Sequence, residues 1–423
     1  MAGKSYWFYL EPFVYVSVKG NDLLLYNTLT GKFLSYYDKP GIIKFILDLH
    51  RKENLYALKV SREFLRDNGL EEFTVDVSKH FMGDLIDVSF SPKKPFFMPA
   101  NFDIQDEHNR QPHRTFQNVF GDSIFSITEL TFFVNNRCDN NCTACKTAFK
   151  QFSWCTREEE DSELTLSDIK QILDQTRGCP IKNIDIIGGD LTQYPHLNRL
   201  VDLLCTGSFK VNYYFHFFHL KNGLPEAIRA AIQSGGSQTR VNVLVDFSTL
   251  TIPGDLTYLK ELEADRLIFL IQRDEEIPIL DEVITDLKTA NISVQPYFNG
   301  DNFDFFKANV FTGHDSLSES MLDIGVIKAR MSYNTLNYGK MFIKSNKNIY
   351  SNLNGASLGS MADISMEKAV ISELSEHGYW LKVRRDVVPC SDCLFNSICP
   401  PLSNFEIVSG INNSCNIRKD RSA

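Results

Sequence analysis

Hydrophobic and polar positions change their period twice along this chain. In the first region the runs at 10–18, 22–26 and 32–36 read as strands, and Asn27-Thr-Leu-Thr-Gly31 supplies turn chemistry before the last of them. Pro40 then opens a helical pattern that carries Ile42, Ile43, Phe45, Ile46 and Leu49 on one face. A second helix is expected over 61–68, stopped at Gly69, and a third from about Val75 that carries Phe81, Met82 and Leu85. The stretch 90–118, with Ser91-Pro-Lys-Lys-Pro95 and a polar run to His113, reads as a linker.

From about 122 to 311 the pattern alternates. Strand-like runs fall at 128–134, 182–187, 211–218, 240–247, 266–271 and 293–298, with helical patterns between them. One helix opens on the capping box Thr165-Leu-Ser-Asp168, carries Ile169, Ile172 and Leu173, and stops at Gly178 before Pro180. Others are expected at 196–204, 225–233 and 279–290. Six strand–helix units in series predict a parallel sheet. A β-hairpin pattern follows at 339–352. The expected division is 1–89, a linker at 90–121, then 122–330 and 331–423.

Composition narrows the partners. The 423 residues leave room for two or three domains, and 43% hydrophobic with 23% charged residues is ordinary for a globular protein. A net charge of −9 argues against a nucleic-acid partner. No apolar run reaches the ~18 residues of a membrane span. The start reaches Glu11 and Pro12 before any long apolar core, unlike a signal peptide. Ten cysteines in such a chain point to thiolate metal sites rather than disulfides. A cytoplasmic location is the expectation.

Candidate chemistry sits in a few short runs. Asn136-Arg-Cys-Asp-Asn-Asn-Cys-Thr-Ala-Cys145 spaces Cys138, Cys142 and Cys145 as Cys-x3-Cys-x2-Cys, directly after the first strand of the alternating region. Three thiolates hold a [4Fe–4S] cluster and leave one iron open to another ligand. In barrels of βα units, chemistry lies on loops at the C-terminal ends of strands, which is where this run falls. After the second strand comes Gly188-Gly189-Asp190, and the fourth strand ends near Asp246. Asp246 is open to two readings, a ligand contact or a buried structural carboxylate. Near the C-terminus Cys390, Cys393, Cys399 and Cys415 form a second set, suited to a cluster or to tetrahedral zinc. Cys155, Cys179 and Cys205 are expected to be small buried apolar residues. His216 and His219 would fall on opposite faces of a continuing strand, which argues against a metal pair. His108 and His113 read as solvated linker residues; Asp301, Asp304 and His314 follow the sixth strand without a specific pattern.

The first cysteine motif resembles the radical S-adenosylmethionine (SAM) signature. That resemblance implies a partial (β/α)6 TIM-like barrel of the α/β class. It implies a [4Fe–4S] cluster on Cys138, Cys142 and Cys145 whose open iron binds and reductively cleaves SAM. The resulting 5′-deoxyadenosyl radical abstracts hydrogen from a substrate carbon. Gly188, Gly189 and Asp190 stand where the family carries Gly-Gly-Glu, whose glycines admit the methionine end of SAM and whose carboxylate pairs with its amino group. Asp246 stands where relatives show Ser-x-Asp-Gly and would contact SAM or substrate. The chain departs from the pattern at Leu191-Thr192, in place of Pro-Leu, and at Lys146, in place of an aromatic residue for which Phe149 is the candidate substitute.

The second cysteine set resembles the SPASM domain. Asn352 and Ser403 occupy positions where that pattern has cysteines for a first auxiliary cluster, so one auxiliary [4Fe–4S] cluster is implied, on Cys390, Cys393, Cys399 and Cys415. The first region has a winged-helix-like pattern that resembles PqqD-like elements, which take a leader peptide as an added strand. A DNA-binding winged helix and a plain packing subdomain are the competing readings. As a whole the chain is similar to radical SAM/SPASM peptide maturases. More narrowly, 390–406 resembles the pseudo-radical-SAM/SPASM proteins of GG-leader systems, although here the three radical SAM cysteines are intact. This implies a ribosomally made precursor peptide bound through its leader, and an electron donor such as flavodoxin or ferredoxin. The alternative is a non-catalytic Fe–S pseudoenzyme that presents the peptide to a partner maturase.

Overall fold

The computed structural model describes residues 4–105, 126–140, 151, 161–220, 222–233, 238–247, 250, 254–287, 291–375 and 378–417. The first region contains β1 (Ser5–Leu10), β2 (Val14–Lys19), β3 (Asp22–Asn27), β4 (Phe33–Tyr36), β5 (Leu58–Ser61), β6 (Gly83–Asp87) and β7 (Asn101–Gln105). They form two sheets, β5-β1-β6 and β4-β3-β2-β7. Helices Pro40–His50, Arg62–Asp67 and Glu71–Lys79 pack with them around Phe8, Val16, Ile46 and Phe73. Three expectations need correction. The run at 10–18 is two strands, parted at the Glu11-Pro12 turn because proline offers no N–H to a ladder. The third helix starts at Glu71 and ends at Lys79; Phe81 then turns the chain at φ +55°. Leu85 is therefore a strand residue, paired with Phe8 of β1. Lastly, the expected linker contains β7, which lies parallel to β2.

Six parallel strands follow: β8 (Glu129–Phe133), β9 (Asn183–Ile187), β10 (Lys210–His216), β11 (Thr239–Asp246), β12 (Arg266–Ile271) and β13 (Ile292–Pro296). They pair in sequence order, each beside the next. Helices Leu166–Gln175, Leu197–Leu204, Glu226–Gln233, Gly254–Glu261 and Glu276–Leu287 supply the crossovers. Both halves of the Thr165–Asp168 capping box are formed. The last of these helices starts at Glu276, earlier than its apolar period suggests, because Glu276 accepts from the backbone N–H groups of Gln272 and Arg273. The core runs through Phe132, Ile186, Tyr213, Val243 and Phe269.

The expected hairpin is present as β14 (Lys340–Ile343) and β15 (Asn348–Tyr350), with β16 (Gly359–Ser360) beyond. It also extends the parallel sheet, because β14 lies parallel on the free side of β8. The result is one mixed nine-stranded sheet ordered β13-β12-β11-β10-β9-β8-β14-β15-β16. The first region is not tethered at a distance. Tyr15, Leu24 and Tyr26 share an apolar cluster with Leu394, Phe395 and Ile398 of the second cysteine segment. Arg385 pairs with Asp103 of β7 at 3.2 Å, and Lys19 donates to the Ser391 carbonyl. Among the described residues no helix is long and apolar enough to cross a membrane.

Candidate functional site

The loops after β8 and β9 are locked to one another at the C-terminal end of the sheet. Gly189 N–H donates to the Asn135 carbonyl at 3.0 Å and lies the same distance from Asn135 Oδ1. Asn135 Nδ2 returns a bond to the Asp190 carbonyl at 3.0 Å, and Asp190 N–H donates to the Arg137 carbonyl at 2.5 Å. This explains the two glycines. A Cβ on Gly188 would meet Asn135 Oδ1, and one on Gly189 would land on the Arg137 carbonyl oxygen. The close approach they permit is that of the Cys138 loop, a role separate from the ligand approach implied by the resemblance.

At this junction Cys138 Sγ lies 3.3 Å from His219 Nε2, and His219 Nδ1 lies 3.6 Å from Asp190 Oδ1. Asp190 also caps the 3-10 turn Leu191–Gln193: Oδ1 accepts from Thr192 N–H (2.9 Å) and Thr192 Oγ1 (2.6 Å), and Oδ2 from Gln193 Nε2 (3.1 Å). A carboxylate has about four lone-pair sites, so capacity for a further donor remains. Asp246 ends β11 and is buried at the same end of the sheet. Cys142 and Cys145 lie outside the described residues, as do Lys146, Phe149, Cys155, His108 and His113.

His219 is the residue that the periodicity argument missed. The alternation that parts His216 from His219 holds only while a strand continues. Here β10 ends at His216 and the chain enters the 3-10 turn Phe217–Leu220, so the two rings come within 5.7 Å. The His-x-x-His spacing next to a strand end was the available signal. Burial pushes the His219 imidazole down, against the opposing pull of Asp190 and Asp139. His216 stacks on Phe218 and is pushed down to about 4, chiefly by burial and then by the neighbouring His219.

The second site is described in full. Cys390 opens the 3-10 turn Cys390–Asp392, with Cys393 as its C-cap; Cys399 is buried and Cys415 half-buried. Burial pushes the Cys399 thiol up; the Arg384 guanidinium opposes this, and Cys393, Cys390 and Cys415 add to it. Cys390, Cys393 and Cys415 therefore all lie within electrostatic reach of Cys399. Among the described residues, however, no three Cys, His, Asp or Glu side chains converge on a point suited to a single ion. The donor set, four thiols, has the chemistry for either expected centre, a polynuclear cluster with one thiolate on each iron or tetrahedral zinc. Asn352 and Ser403 make hydrogen bonds where the resemblance would place thiolates. Asn352 Nδ2 donates to Asn404 Oδ1 at 2.7 Å, and Ser403 N-caps the helix Asn404–Ser409.

The remaining candidates are dispersed. Cys179 is half-buried against the main core, with its thiol pushed up by burial. Cys205 is exposed, contrary to expectation, because the helix Leu197–Leu204 ends there and leaves it at the C-cap. His314 does not join the site; its ring packs on Phe33 and Phe395 at 5.8 and 5.4 Å. Asp301 and Asp304 belong to the turn and first helical turn at 299–304.

No protein-family model and no curated protein matches the chain. Among solved structures it is similar to Streptococcus suis SuiB bound to precursor peptide SuiA, at 13% identity and a TM-score of 0.39, over 93% of this chain and 94% of that one. It is similar to SuiB bound to S-adenosylmethionine at 11% identity and 0.36, over 93% and 94%. SuiB alone gives 13% and 0.39, over 92% and 94%. Likeness at that level transfers no activity, cofactor or partner to this chain.

Proposed function

We propose that this protein modifies a ribosomally made precursor peptide by radical SAM chemistry. The observation that carries the reading is the junction of the Cys138 loop with Gly188-Gly189-Asp190 at the C-terminal ends of the adjacent strands β8 and β9. Two short motifs, 50 residues apart in sequence, form one place, and it is the end of the sheet where such folds keep their chemistry. Cys138, Cys142 and Cys145 would hold a [4Fe–4S] cluster, and Gly188, Gly189, Asp190 and Asp246 would line the SAM site. When bound, this pair of cofactors supplies one-electron cleavage of SAM and a carbon radical for hydrogen abstraction. The chain's own part is to hold and orient. The remaining acceptor capacity of Asp190 suits the ammonium group of an amino acid. Asn135 fixes the Asp190 backbone against the cysteine loop, so that thiolate and carboxylate keep one geometry. Buried His216 and Asp246 help to close this end of the sheet to water.

Cys390, Cys393, Cys399 and Cys415 would hold one auxiliary [4Fe–4S] cluster, which full ligation suits to electron transfer or to structure. In the first region β5 pairs only with β1 among the described residues, and its other edge can accept a leader peptide as a strand. An electron donor of the flavodoxin or ferredoxin kind and a cytoplasmic setting complete the proposal. A second reading, a pseudoenzyme that presents the peptide to a partner maturase, draws on the Asp190 carboxylate already capping a local turn. Reconstituted, reduced protein incubated with SAM and precursor decides between them. Formation of 5′-deoxyadenosine that is lost in Cys142→Ala supports the enzyme. Modification by a partner that survives Cys142→Ala supports the presenter.

A further inference from the structure

Arg384 and Glu406 form a buried pair, with side chains 8% and 2% exposed, inside the second cysteine set. The guanidinium meets the carboxylate with both terminal nitrogens, at 2.9 and 3.0 Å. Its other contacts all lie beside cysteines. Nε donates to the Pro400 carbonyl and Nη2 to that of Pro401 at 3.4 Å, just after Cys399. Nη1 lies 3.6 Å from Cys390 Sγ and 3.4 Å from the Asn412 carbonyl, which also accepts from Cys390 Sγ at 3.0 Å. Glu406 continues the pattern. Oε1 accepts from Ser414 N–H at 3.1 Å, next to Cys415, and Oε2 from the N–H and hydroxyl of Ser403 at 3.0 Å. One ion pair therefore ties 390, 399–403 and 412–415 together.

Packing gives no reason for such a pair. Apolar residues of similar volume hold a buried position as well as an ion pair, or better. A cluster does give one. Four thiolates around a [4Fe–4S] core make a net anion, more negative by one charge once reduced, and a buried anion needs a positive partner.

We propose that Arg384 and Glu406 are the positioning residues of the four-cysteine site, gathering its three segments before metal arrives, with Arg384 stabilising the reduced cluster. This rests on reading those cysteines as cluster ligands.

The test uses the full chain carrying Cys138→Ala, Cys142→Ala and Cys145→Ala, so that any cluster belongs to the second set. Beside this parent stand Arg384→Lys, which keeps the charge but loses the fork, and the neutral pair Arg384→Gln/Glu406→Gln. Iron and sulfide content, and the midpoint potential followed by EPR, are measured after anaerobic reconstitution, with far-UV circular dichroism as the check on folding. The parent is expected to hold about four irons. Arg384→Lys should bind less iron at an unchanged potential. The neutral pair should bind less iron, and its cluster should be at least about tenfold less reduced at the same poise, about 59 mV for one electron. Iron content and potential equal to the parent in both variants overturn the proposal. If the neutral pair does not fold, Arg384→Lys decides alone: full iron occupancy overturns the proposal and lowered occupancy supports it. A parent that takes zinc, or no iron, overturns the cluster reading itself and the proposal with it.

Discussion

Replacing His216 with asparagine should flatten the acid side of the protein's stability profile. His216 ends β10, is 5% exposed, stacks on Phe218 at 5.4 Å and accepts the Phe218 N–H on Nδ1 at 3.3 Å. Burial disfavours the imidazolium and pushes the group from 6.5 to about 4. The unfolded chain therefore binds the proton more tightly than the folded one. The stability held by neutral His216 is fully present above pH 6.5, falls as the pH drops through that value, and is gone below about 4. The gap corresponds to roughly 3 kcal/mol, at ~1.36 kcal/mol per pH unit, and about 2.5 kcal/mol of it is lost by pH 4.5. Asn Oδ1 can take the place of Nδ1 as acceptor for the Phe218 N–H but does not titrate. Urea unfolding of the metal-free protein and of His216→Asn between pH 7.5 and 4.5 gives the comparison. The wild type should lose about 2.5 kcal/mol more than the variant across that range. Parallel profiles would refute the reasoning, because they would mean that this end of the sheet admits the charged ring.

Other outcomes follow from the same geometry. Gly189→Ala drives a methyl group onto the Arg137 carbonyl, so it should cost about 1–3 kcal/mol in thermal unfolding and lower iron uptake at the first cysteine set. His219→Leu removes the polar ring nitrogen that lies 3.3 Å from Cys138 Sγ; in reconstituted protein the site cluster should still form, with a more negative EPR midpoint potential. Asp185 is held up at about 6, against an ordinary 3.8, mainly by burial. Its folded form keeps the proton, so its stabilising share is present below about pH 3.8 and lost as the pH rises through about 6. Asp185→Asn keeps an acceptor for Asn212 Nδ2 and should stabilise the protein at pH 7.5 by roughly 1–2 kcal/mol, with little effect at pH 3.5.

The parallel strands were the most legible part of the chain. A strand covered on both faces leaves an apolar run, as in Arg266–Ile271, and chain order then fixes neighbour order. The Thr165 helix was readable because capping is local chemistry. Leu85 was misassigned because Phe81, Met82 and Leu85 keep a helical spacing, and only pairing with β1 shows the strand. β7 alternates clearly, Asn101-Phe-Asp-Ile-Gln105, but lies in a proline-rich stretch, and its partner β2 is more than 80 residues away. At the site, Cys138 and Gly188-Gly189-Asp190 were visible as motifs. His219 was hidden because its placement depends on where β10 stops. Arg384 was hidden because a single arginine carries no pattern; its meaning comes from three segments meeting around it.

The central claim is that Cys138, Cys142 and Cys145 hold a redox-active cluster beside a SAM site. Iron and sulfide content with an EPR spectrum tests it most directly, on anaerobically prepared wild type beside the Cys138→Ala/Cys142→Ala/Cys145→Ala variant. The account predicts about eight irons falling to about four, and a wild-type signal that shifts when SAM is added. Iron unaffected by the triple substitution, or zinc in its place, would contradict it.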